Sequence, residues 1–121
     1  MKIPTQCHLW QKEGLAAKDL HGAFVLVERF LDEPHHTRSL RRCKECGQLY
    51  FHEFYERIDW VGGNDPQFQT YIPVESRDEM ETLLNSTEFN IHTFSPSLHS
   101  DFPEEAPEPK IYWVRGPVVA E

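Results

Sequence analysis

The stretch Cys43-Lys44-Glu45-Cys46-Gly47-Gln48-Leu49-Tyr50-Phe51-His52-Glu53-Phe54-Tyr55-Glu56-Arg57-Ile58-Asp59-Trp60 decides how the rest of the chain is read. Its first five residues form a tight turn, with Gly47 supplying the positive φ that closes it. Residues 48–60 then run extended, rich in aromatic and β-favouring types. A helix competes for the same residues, because Tyr50, Phe51, Phe54, Tyr55 and Ile58 also fit a 3.6-residue period. The strand is preferred, since a Cys-x-x-Cys-Gly turn commonly hands the chain to a strand. On that strand His52, Phe54, Glu56, Ile58 and Trp60 share one face, and Phe51, Glu53 and Tyr55 the other. Charged groups on both faces predict a half-exposed sheet. Gly62-Gly63-Asn64-Asp65-Pro66 is a turn signal, so 48–60 and the returning segment Gln67 to Val74 form a hairpin.

Upstream, Leu20, Ala23, Phe24, Val27, Phe30 and Leu31 fall at spacings of three and four, which predicts an amphipathic helix over residues 17–32. Asp19 is its candidate cap and Pro34 its stop. Thr37 to Arg42 reads as an extended arm leading into the cysteine turn. Downstream, Ser76-Arg77-Asp78-Glu79 matches a capping box and opens a second helix over 77–85. Ser95 to Pro109, with four prolines and four acidic residues, reads as an irregular surface loop. Ile111-Tyr112-Trp113-Val114-Arg115 is a last strand expected to add to the hairpin. The predicted class is α+β: a small antiparallel sheet with helices on one face.

Three cysteines, an odd number, do not suit a disulfide framework. The spacing of Cys43 and Cys46 lets both sulfurs point at one ion, and Arg42 and Lys44 favour thiolate over thiol. Cys43-Lys44-Glu45-Cys46-Gly47 resembles one knuckle of a zinc ribbon, although the chain has no second Cys-x-x-Cys. The implied cofactor is zinc, with Cys7 as third ligand. His21, on the edge of the predicted helix's apolar face, is the first choice for the fourth. His8 is the alternative, held back because sequential ligands rarely chelate one tetrahedral ion without strain. His35, His36, His52 and water complete the choices. The competing structural reading makes Cys7 a buried apolar thiol and the knuckle an ordinary turn. A redox role is disfavoured, because the thioredoxin-type motif opens a helix and an aromatic run follows here.

The 121 residues suit one domain, 1–121, and 39% apolar with 26% charged residues excludes wholesale disorder. No apolar run is long enough for a membrane span, and the N-terminal residues lack a secretory pattern, so a cytoplasmic location is expected. Twelve basic against 20 acidic residues give −8, with nine of the acidic ones in residues 75–110. That field suits a basic protein partner and opposes general binding to nucleic acid. Arg38, Arg41, Arg42 and Lys44 form a local basic patch beside Tyr50 and Phe51, which keeps a nucleic-acid-binding knuckle as the alternative. His52-Glu53-x-x-Glu56 shares letters with the zinc-protease helix but lacks its second histidine. No nucleophile elbow, phosphate loop or dinucleotide fingerprint is present, so a small metal-dependent or redox enzyme is the third reading and a non-enzyme the first. The expected function is a non-catalytic protein-binding domain of inhibitor, immunity-like or adaptor type. Small bacterial immunity proteins are similar in size and charge only. Acidic loop residues Asp101, Glu104, Glu105 and Glu108 are the candidate partner contacts.

Overall fold

A computed structural model describes residues 1–57, 66–87, 91–103 and 107–115. Six antiparallel strands follow one another in sheet order as in sequence. They are β1 (Phe24–Glu33), β2 (His36–Cys43), β3 (Leu49–Glu56), β4 (Gln67–Val74), β5 (Ser97–Phe102) and β6 (Lys110–Val114). Short helices α1 (His8–Gln11) and α2 (Ala17–Leu20) precede the sheet, and α3 (Arg77–Leu84) and a 3-10 turn (Ile91–Thr93) connect β4 to β5.

The strand reading of the segment after Gly47 holds over Leu49–Glu56, with 58–60 outside the described residues, and β3 pairs with β4 along its whole length, from Leu49 opposite Val74 to Glu56 opposite Gln67. The segment is more buried than its charges suggested: Tyr50, Phe51, His52 and Glu53 are all buried. The turn predicted at 62–66 lies, but for Pro66, outside the described residues. α3 begins as its capping box dictates, with Ser76 Oγ accepting the Glu79 N–H at 3.2 Å. The Glu79 carboxylate reaches back to the Glu75 N–H at 2.7 Å.

Residues 17–32 are not one helix. Asp19 does hold the first turn, accepting the Ala16 N–H at 2.8 Å and the Lys12 ammonium at 2.5 Å. Gly22, at φ +69°, then redirects the chain into β1. The helical spacing is produced by two bulges, where the register slips between Leu26 and Glu28 and again between Arg29 and Leu31. Each bulge inserts one residue into a two-residue alternation, and the sum imitates a period of three to four. The arm over 37–42 is likewise a full strand, β2, joined to β1 by a tight turn at Pro34-His35. The loop predicted from Ser95 to Pro109 contains β5, so the last strand, β6, pairs with β5 and not with the hairpin. Its serines hid it: Ser97 is 0% and Ser100 6% exposed, small enough to pack although polar.

Both faces of the sheet are covered, not one. Leu40, Phe51 and Ile72 stand opposite one another across β2, β3 and β4, and pack with Met80 and Leu83 of α3 and with Ile91. On the other face Tyr50, Tyr71 and Leu98 pack with Cys7, Leu9 and Cys43. The N-terminal segment forms that second layer, pinned by Leu9, which is wholly buried and whose carbonyl accepts the Trp113 indole N–H at 2.8 Å.

Under the first layer lies a buried ion pair. Arg38 and Glu53 are cross-strand partners, joined at 2.7 Å from Nη2 and 2.8 Å from Nε, and His36 Nε2 meets the same carboxylate at 3.0 Å. Arg38 Nη1 also donates to the Ser86 carbonyl at 2.7 Å, which satisfies backbone left over at the C-terminal end of α3.

Candidate metal centre

The β2–β3 connection is the cysteine turn itself. Cys43 ends β2, its N–H donates to the Gln48 carbonyl at 2.9 Å, and the Gly47 N–H returns to the Cys43 carbonyl at 2.9 Å. Gly47 adopts φ +80°, which a side chain would oppose. The Lys44 N–H donates to the Ala23 carbonyl at 3.0 Å, tying the turn to the start of β1.

The N-terminal segment brings two more donors to this turn. Side-chain ligand atoms of Cys7, His8 and Cys43 all lie within 4.8 Å of one another. The His8 Nδ1 to Cys43 Sγ separation is 3.8 Å. Tetrahedral zinc, with bonds of about 2.3 Å to sulfur and about 2.0 Å to nitrogen, sets ligand–ligand edges of roughly 3.5–3.8 Å. Cys46, exposed on the turn, is not part of that mutually close trio, although its thiol interacts with Cys7. Three sulfurs and one imidazole therefore stand near one another in a group that could hold a metal ion. Cys7 and Cys43 are buried, whereas His8 and Cys46 face the solvent side.

Cys7 and His8, although adjacent in sequence, both reach Cys43, because the backbone changes conformation between them. Cys7 is extended (φ −85°, ψ 129°) as the N-cap of α1, and His8 is the first helical residue. His21, by contrast, caps the end of α2, is exposed, and lines a separate cleft of ≈ 270 Å³ with Gln69, Tyr71 and Ser100. It is not in the cysteine group. His35 and His36 pair with Glu56 (2.9 Å) and Glu53 (3.0 Å) at the far end of β2.

Two residues at the centre escaped the sequence reading. The Tyr50 hydroxyl is fully buried with no hydrogen-bond partner of normal geometry, and its electrostatic neighbours are the three cysteines. Burial, then the Cys7 thiol, keeps the phenol protonated, so it remains a donor aimed at sulfur. An orphaned buried donor beside thiols fits a site in which those thiols become thiolates. Glu45 lies 3.2 Å from His8 Nδ1 and adds negative charge at the open side. Burial also pushes the Cys7 thiol up to about 12, with Tyr50 opposing, so the bare pocket favours neutral sulfur and a cation reverses that balance. The signal for Tyr50 was its place four residues after Cys46, where the first inward side chain of β3 must fall.

Behind the centre, His52 is a core residue, 2% exposed. Its Nε2 bonds Gln69 Oε1 at 2.8 Å and its ring tilts over Tyr71. Burial, then the Arg41 charge, lowers it from 6.5 to about 3. Between those values the unfolded chain binds a proton that the fold refuses, so stability falls with pH by up to about 1.4 kcal/mol per unit. Denaturant unfolding followed from pH 7 to pH 4 is expected to carry this slope, and His52→Gln to flatten it.

The basic patch does not survive folding as a unit. Arg38 is 6% exposed and committed to Glu53, and strand alternation sends Arg41 and Arg42 to opposite faces. Among the described residues no helix is long and apolar enough to cross a membrane. The chain matches no protein-family model, no curated protein and no solved structure.

Proposed function

We propose that the protein is a non-catalytic protein-binding module, of inhibitor or adaptor type, clipped together by one structural zinc ion on Cys7, His8, Cys43 and Cys46. The convergence of Cys7 and His8 on Cys43, from segments 35 residues apart, carries this reading. Three thiolates and an imidazole are a zinc-type donor set, and no open position is needed for substrate. His8 takes the place that the sequence offered to His21. The ion would tie the N-terminal layer to the sheet and leave the outer surface of the protein free for contact. The net charge of −8 favours a basic protein partner, and the commitment of Arg38 to Glu53 leaves a smaller basic patch for the nucleic-acid alternative.

Elemental analysis of protein purified from metal-replete medium is expected to give about one zinc per chain, released together with titratable thiols by denaturation. Metal-free folded protein with three freely reactive thiols would contradict it.

A further inference from the structure

We propose that the outer edge of β1 and the groove beside it dock an extended basic segment of a partner protein. This rests on the protein-binding reading and names the surface and the chemistry of the partner. β1 is an outer strand of the sheet, and Val25, Leu26 and Val27 stand on it 36%, 44% and 49% exposed. Three successive exposed apolar residues on an outer strand, with no further strand beside it among the described residues, are what a monomeric sheet ordinarily avoids.

Next to them lies a groove of ≈ 370 Å³ with Leu40, Leu49, Val74 and Met80 at its floor. The first bulge of β1 leaves Val27 as the extra residue, and it puts Val27 and Glu28 side by side on the groove wall. Glu75 stands at the α3 end with Arg77. The groove itself carries Glu28 and Glu75 against one cation, Arg77, on a chain whose net charge is −8. An apolar floor with Glu28 and Glu75 at its rim, beside an outer strand that no other described strand pairs, selects an extended segment that alternates apolar and basic side chains. Its main chain adds to β1, its apolar residues enter the groove, and its cations meet Glu28 and Glu75.

The test uses the zinc-loaded full chain and two end-blocked peptides of about six residues, a common strand length, one alternating Lys and Val and the other Glu and Val. NMR titration is expected to move the signals of Val25, Val27, Leu40 and Met80 with the Lys–Val peptide only. Glu28→Lys combined with Glu75→Lys should weaken binding roughly tenfold, and Glu108→Lys should leave it unchanged. Lys–Val binding that maps to Asp101 and Glu108 with the groove silent overturns the docking site but leaves a basic partner standing. Absence of any binding sinks both. Equal binding of the two peptides, or self-association through β1 without peptide, overturns the proposal by removing the charge selection or by filling the edge with a second copy.

Discussion

Cys43→Ser is expected to cost the protein its zinc and its cooperative thermal transition. Structural zinc in small modules contributes on the order of 10 kcal/mol, comparable with the whole stability of a typical domain. Cys43 sits where the loss is greatest, fully buried at the end of β2 and in contact with both the N-terminal layer and the turn. Cys7→Ser and Cys46→Ser should act in the same direction, and His8→Ala should lower zinc affinity with the fold retained at high zinc. His21→Ala, on the separate cleft, should change stability by less than about 0.5 kcal/mol. Thermal melts with and without chelator separate these outcomes. If Cys7→Ser instead costs only about 1–2 kcal/mol and the chelator has no effect, Cys7 is a buried thiol and not a ligand.

The second large effect belongs to Arg38, on the opposite face. Arg38→Leu leaves Glu53, 5% exposed, with a buried carboxylate and strips a donor from the Ser86 carbonyl. Removing one partner of a buried ion pair costs about 3–5 kcal/mol, far more than the pair's net contribution. His36 remains beside Glu53 at 3.0 Å and leaves the carboxylate one side-chain partner. Urea unfolding checks the magnitude. Arg38→Leu combined with Glu53→Leu should recover most of the loss, because no orphaned charge remains.

How much of this was legible in the sequence depended on whether local signals agreed with long-range pairing. α3 was readable because Ser76 and Glu79 satisfy helix backbone within four residues of each other. β3 and β6 were readable from their aromatic and β-branched content. β1 was not, because its bulges at Val27 and Phe30 come from pairing with β2 and blur the two-residue alternation. β5 was hidden because Ser97 and Ser100 are buried by neighbours that no local window contains. The candidate metal centre was half legible. Cys43, Cys46 and Gly47 announce themselves by spacing, but the preference for His21 over His8 rested on a helix over 17–32 that does not form. The change from extended Cys7 to helical His8, which lets neighbours share one site, is a property of the backbone.

The most direct test is zinc X-ray absorption on the purified protein. Three sulfur scatterers at about 2.3 Å and one nitrogen at about 2.0–2.1 Å are predicted, with the nitrogen lost in His8→Ala and kept in His21→Ala. A shell of only nitrogen and oxygen, or a nitrogen that disappears with His21, would contradict the centre described here.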